Sequence, residues 1–144
     1  MNTFQKVLIG YDGSTSAKAA LQFAVGMAMD TNVELTALWV REPLPRYSDL
    51  LSEILSSKEL ADEYFQQLSE EIAQTSKAQG LDIHFITRAG NPAKTILQYA
   101  DEGGYDLIVV GQTDHSELWG RLLGNTANRI VGQAGCRVLV INST

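Results

Sequence analysis

An α/β fold, a parallel sheet with helices on both faces, is what this sequence predicts, and three observations carry the prediction. Five strand-length apolar segments rich in β-branched residues are spaced along the chain. Between them lie stretches whose apolar residues recur at helical spacing. The 144 residues, 44% hydrophobic and 19% charged, suffice for one substantial core, with no repeat, low-complexity tract or linker to divide them. Strict alternation of strand and helix favours parallel strands joined by crossovers. Residues 1–144 are therefore expected to form a single domain.

The first strand is Lys6-Val-Leu-Ile-Gly10. Gly13-Ser14-Thr15-Ser16 then supplies turn and N-cap residues for a helix whose Ala17, Ala20, Leu21, Ala24, Val25 and Ala28 fall on one side. Val33 to Val40 is the second strand. Pro43-Leu-Pro-Arg-Tyr-Ser48 reads as a loop, followed by a long polar helix from Ser57 to Gln79 with Leu60, Tyr64, Phe65, Leu68 and Ile72 as its apolar stripe. Its acidic residues Glu53, Asp62, Glu63, Glu70 and Glu71 read as a solvated face, and Gly80 sits where a left-handed cap belongs. Ile83 to Thr87 is the third strand. Asn91-Pro92 is an N-cap followed by proline at the first helical position, and Gly103-Gly104 closes that helix after Ile96, Leu97 and Ala100. Asp106-Leu-Ile-Val-Val110 is a fourth strand, buried on both faces. A short helix from about Thr126 to Ala134 and the strand Arg137 to Ile141 complete the series.

Composition narrows the function. A net charge of −6 and a pI near 4.8 argue against nucleic acid as the main partner, because neutralising phosphates takes clustered Lys and Arg, and the eleven basic residues are scattered. Cys136 is the only cysteine, which excludes an intrachain disulfide and a cysteine-rich metal site and favours a reducing compartment. The first residues do not resemble a signal peptide and no apolar run approaches the ~18 residues of a membrane span, so a cytoplasmic location is expected.

Two strand ends carry chemistry. The fourth strand leads into Gly111 and a loop, through Gly120 and Gly124, that reaches a helix start near Asn125. A strand end, a glycine-bearing loop and a helix N-terminus expose backbone N–H groups and a partial positive charge, the physics of a phosphate site. The same glycines also read as ordinary turn residues, and their spacing matches neither the P-loop nor the dinucleotide fingerprint. The first strand ends in Gly10-Tyr11-Asp12-Gly13. Asp12 is placed either to accept hydrogen bonds from ribose hydroxyls or an adenine amine, or to form an Asx turn ahead of the first helix. His84 and His115 are too far apart for a zinc pair, and Asp114-His115-Ser116 reads as a polar loop rather than a catalytic cluster, so neither catalytic nor metal-binding residues are expected. Trp119 reads as a loop anchor and Arg121 as a solvated residue.

Val7-Leu-Ile-Gly-Tyr-Asp-Gly-Ser14, Gly90-Asn-Pro-Ala-Lys-Thr-Ile96, Asp106-Leu-Ile-Val-Val-Gly111, Leu122-Leu-Gly124 and Val138-Leu-Val-Ile141 together resemble the universal stress protein family, in order and over the full length. The resemblance implies an adenine nucleotide α-hydrolase-like sheet of order 3-2-1-4-5, commonly a homodimer, and in one branch of the family an ATP site. That branch carries Gly, two residues, Gly, nine residues, Gly, then Ser or Thr. Gly111 and Gly124 fit, whereas Asp114 stands at the middle glycine and Asn125 at the hydroxyl position. A carboxylate about 4 Å from a phosphate costs roughly 1 to 4 kcal/mol, which a divalent cation such as Mg would reverse. By resemblance, Asp12 contacts the adenosine, the Val40 backbone meets the adenine, and Gly111, Gly124, Asn125 and Thr126 surround the phosphates, with Tyr11 and Asp114 also counted in the nucleotide site.

The expected function is a regulatory adenine nucleotide site (ATP, ADP, AMP or cyclic AMP, with or without Mg) in a homodimer. The alternative is a stress-response interaction module of the same fold that binds no nucleotide. At most a slow ATPase activity is expected, since no dedicated base is visible. The strand Arg137 to Ile141 would lie at a sheet edge without internal charge or proline to block pairing, and is the expected dimer contact.

Overall fold

The computed structural model describes residues 4–42, 51–112 and 125–142, with the backbone alone for 51–57. The elements follow in the order β1 (Lys6–Gly10), α1 (Thr15–Ala28), β2 (Glu34–Arg41), α2 (Leu51–Gln79), β3 (Ile83–Ala89), α3 (Pro92–Gly103), β4 (Leu107–Gly111), α4 (Asn125–Gln133) and β5 (Arg137–Ile141). All strand pairs are parallel, in the order β3-β2-β1-β4-β5. The α/β architecture and strand order expected from the sequence are both observed.

Alternation along the strands divides the core into two layers. Val7 and Ile9 of β1 join Leu35 and Ala37 of β2 beneath α1 and α2, where Ala20, Ala24, Leu68 and Ile72 are buried. Leu8, Leu38 and Ile108 face the other way, against Ile96 and Ala100 of α3 and Ile130 of α4. Leu8, Ile9 and Ile108 are fully buried, each contributing roughly 1.5–3 kcal/mol of transfer free energy. This is why the central strands read as unbroken apolar runs.

Local chemistry sets the helix ends. The Ser14 hydroxyl accepts the Ala17 N–H at 3.2 Å, and all six residues expected on the inner side of α1 are buried. Asn91 caps α3 by accepting the Lys94 N–H at 3.0 Å, Pro92 follows it, and Gly104 closes the helix at φ 68°. At the opposite end of the sheet from the strand carboxyl termini, both Asp106 oxygens accept the N–H groups of Gln5 and Lys6, at 2.8 and 3.1 Å. The Lys6 ammonium reaches the Gly103 carbonyl and sits 4.6 Å from the Tyr105 ring centroid. These contacts tie the start of β1 to the loop before β4.

Boundaries differ from expectation at several elements: β2 begins at Glu34 rather than Val33, and β4 runs Leu107–Gly111 rather than Asp106 to Val110. β2 and β3 run on to Arg41 and Ala89, because their mutual ladder continues through Val40↔Arg88 and Arg41↔Ala89 after the apolar pattern has ended. α2 begins at Leu51 rather than Ser57, since Leu51-Ser-Glu-Ile-Leu contains neither Gly nor Pro and extends the amphipathic part backward. α4 begins one residue earlier than expected, at Asn125. The expected loop Pro43 to Ser48 lies outside the described residues.

Candidate functional site

The sheet is wound outward in both directions from β1, through β2 on one side and β4 on the other, so a crevice opens where these two strands diverge from β1 at their carboxyl ends. It encloses about 500 Å³, within the ~300–1,000 Å³ of small-molecule sites. Tyr11 and Asp12 form its floor at the end of β1, Val40 and Arg41 border it from β2, and Val110 and Gly111 from β4. The first turn of α1 contributes Ser14 and Ser16, α4 contributes Thr126 and Ala127, and α2 forms a wall with Ala61 and Tyr64.

Five of the eight site residues expected from the sequence thus line one crevice: Tyr11, Asp12, Val40, Gly111 and Thr126. Asn125 is exposed at the start of α4 and does not belong to the described lining. Asp114 and Gly124 lie outside the described residues, as do His115, Trp119, Gly120 and Arg121.

Asp12 forms the Asx turn that its sequence allowed, at the border of the crevice: its Oδ1 accepts the Ser14 N–H at 2.9 Å, leading into α1. Gly111 is glycine for a packing reason the sequence did not reveal. A Cβ there would stand 2.4 Å from Ser16 Oγ and 2.7 Å from the Ser16 backbone carbon, so its absence lets α1 approach the end of β4.

Val40 offers its backbone. Along β2, Glu34 and Leu38 bond toward β1, through Glu34 N–H to the Gln5 carbonyl and Tyr11 N–H to the Leu38 carbonyl, both 2.9 Å. Trp39 and Arg41 accept from the β3 side, from Thr87 Oγ1 at 2.8 Å and the Gly90 N–H at 2.9 Å. Strand alternation therefore turns the Val40 N–H and C=O toward β1, one step past the last rung between those strands. They form an adjacent donor and acceptor at the crevice edge that the described ladder leaves unpaired.

Tyrosines tie this floor to α2. The Tyr64 hydroxyl donates to the Asp12 carbonyl, and Tyr11 donates to Glu71 Oε1 at 2.9 Å. Burial, then the hydrogen bond to Glu71, pushes the Tyr11 phenol well above its ordinary value; burial, then the charges of Asp12 and Glu71, raises that of Tyr64. Both stay protonated donors at neutral pH. Tyr64 also meets Trp39 edge-on at 5.2 Å, and Phe65 stacks on Phe85 at 5.0 Å. Arg41 is the only cation among the described lining residues, and its Nε is buried without a partner among them.

Sequence reasoning passed over Trp39, Arg41, Tyr64 and Ser16 as site residues. Tyr64 was visible only as part of an apolar stripe, and a spacing pattern does not reveal that one member reaches the Asp12 carbonyl beyond the end of β1. The described lining has no His or Cys, and no cluster of three or more His, Cys, Asp or Glu able to hold a metal occurs among the described residues. None of the described helices is long and apolar enough to cross a membrane.

Comparisons with known proteins give the family and the fold. The profile of the universal stress protein family matches residues 3–142. Universal stress protein YxiE of Bacillus subtilis is 32% identical over 146 residues, covering 96% of this chain and 99% of its own. Universal stress protein UspA from Lactobacillus plantarum superposes with a TM-score of 0.84 at 28% identity, covering 98% and 99% of the two chains. A universal stress protein solved in complex with cAMP gives 0.72 at 26% identity, over 99% and 100%. The chain belongs to the universal stress protein family.

Proposed function

We propose that the protein binds an adenine nucleotide in this crevice as a regulatory ligand and acts as a homodimer. The observation that carries the reading is the Val40 backbone pair. A donor and an acceptor on one residue match the adenine edge, where N1 accepts and the N6 amine donates. From there the crevice runs across Asp12, placed for ribose hydroxyls, to Gly111 and the first turn of α4, where unpaired helix N–H groups favour phosphate oxygens. Arg41, with its unpartnered Nε at the base end, adds a donor that a bound ligand would satisfy. The relative in complex with cAMP supports the same ligand class. Binding rather than turnover is the activity proposed.

Asp114, at the second glycine of the family's ATP motif, favours ligands with fewer phosphates or a bridging Mg, whereas Asn125 at the hydroxyl position can still donate to an oxyanion. They also carry the second reading, an interaction module of the same fold that has lost its nucleotide. Titration calorimetry with ATP, ADP, AMP and cyclic AMP, each with and without magnesium, decides between the two. Saturable heat with one of them supports the first reading, and no heat and no thermal shift at millimolar ligand leaves the second.

The dimer is proposed through β5. It is an edge strand whose Val138 to Ile141 are half-buried and uncharged. Antiparallel pairing with a second copy would engage its outward N–H and C=O groups.

A further inference from the structure

The crevice floor and the long helix α2 meet at one polar contact. The chain at Asp12-Gly13 turns with Gly13 at φ 80°, and a Cβ on Gly13 would stand 2.3 Å from the Tyr64 hydroxyl and 2.7 Å from Leu68 Cδ2. α2 therefore lies directly against the turn. The Tyr64 hydroxyl reaches over Gly13 to the Asp12 carbonyl, while the Asp12 carboxylate holds the Ser14 N–H. The same tyrosine borders the crevice, and its ring rests edge-on against Trp39, another lining residue. A single side chain thus touches the helix, the turn and the cavity.

We propose that Tyr64 is the positioning residue of the crevice: its hydroxyl holds the Asp12 main chain, so that the seat of α2 on the sheet and the occupancy of the crevice are coupled. Resting on the nucleotide reading above, this assigns a route by which a ligand could be felt outside its site. A group bonded to Asp12 bears on the carbonyl that Tyr64 grips, and through it on α2, whose outer face carries Asp62, Glu63 and Glu70 into solvent. By linkage, whatever fixes α2 in place must tighten the ligand by the same factor that the ligand tightens α2.

Tyr64→Phe is the direct test, because it removes the hydroxyl and keeps the ring against Trp39. Amide hydrogen exchange at Ser14 is measured first, without ligand, followed by calorimetric affinity for ATP, AMP and cyclic AMP. Exchange at Ser14 should accelerate about fivefold, the ordinary weight of one hydrogen bond, and affinity for whichever nucleotide the wild type binds should fall by a similar factor. Ile108→Val serves as the control: it thins the core on the sheet face away from α2 and outside the crevice lining, so it should lower the melting temperature while leaving Ser14 exchange and affinity unchanged. Ser14 exchange in Tyr64→Phe equal to the wild type overturns the proposal. So does an Ile108→Val variant that reproduces both effects, since the turn would then respond to any loss of stability rather than to the Tyr64 contact. A wild type that binds none of the three nucleotides refutes the nucleotide reading instead, and the exchange comparison still decides whether Tyr64 holds the turn.

Discussion

Two glycines with the same backbone sign offer a measurement of how tightly α2 is pressed onto the β1–α1 turn. Gly13 has φ 80° and Gly80 has φ 65°, both in the region where an L side chain is strained. A Cβ on Gly80 meets nothing within 4 Å, whereas one on Gly13 meets Tyr64 Oη at 2.3 Å and Leu68 Cδ2 at 2.7 Å. Gly80→Ala should therefore cost only the left-handed penalty, about 1 kcal/mol. Gly13→Ala adds overpacking of about 1–3 kcal/mol and the loss of a hydrogen bond worth about 1 kcal/mol, for a total of about 3–5 kcal/mol. At an unfolding entropy of roughly 2.1 cal/mol/K per residue, a chain of this size loses about 3 °C of melting temperature per kcal/mol. Scanning calorimetry should then show a drop of about 3 °C for Gly80→Ala and about 10–15 °C for Gly13→Ala. Equal drops would refute the reasoning, because they would mean that α2 yields freely at this contact.

Three further outcomes follow from the same structure. Tyr11 holds its proton more tightly when folded than at its ordinary value of 10.0, so its contribution is complete below that pH and is lost above it, where the unfolded chain ionises first. Denaturant titrations between neutral and strongly alkaline pH should therefore show a shallower alkaline decline for Tyr11→Phe, with Tyr64 and Tyr99 sustaining the remainder. Asp114→Gly should tighten metal-free ATP more than AMP in calorimetric titrations, since the carboxylate opposes the outer phosphates; equal changes would count against that role. Val140→Pro should convert the proposed dimer to a folded monomer in sedimentation at tens of micromolar. Because the Ile141 carbonyl bonds toward β4, alternation turns the Val140 N–H outward, so the proline removes an edge donor and no β4 bond. A wild-type monomer, or a dimer unchanged by Val140→Pro, would move or remove the interface.

The framework was legible because its signals are local. The Ser14 and Asn91 caps, Pro92 and the left-handed Gly104 each act within a few residues, and the inner face of α1 follows directly from its alanine and leucine spacing. Tyr11, Asp12, Val40, Gly111 and Thr126 were reachable because they sit at strand ends or a helix start, where an open sheet collects its ligand residues. Tyr64 and Trp39 were not, since their part in the crevice depends on how α2 crosses the sheet, which no spacing within either segment encodes. Gly111 shows the opposite problem. Its residue type was conspicuous, but the reason for it lies in Ser16, in an element 95 positions earlier in the chain that packs against it only after folding.

The central claim, that an adenine nucleotide lies between the Val40 backbone and the start of α4, is tested most directly by following backbone amide signals during titration with ATP and cyclic AMP. The account predicts saturable shifts at Tyr11, Asp12, Val40, Gly111 and Thr126, the Val40 amide among the largest, with the Asp106 end of the sheet unmoved. Shifts confined to other surfaces, or none at millimolar nucleotide, would contradict it.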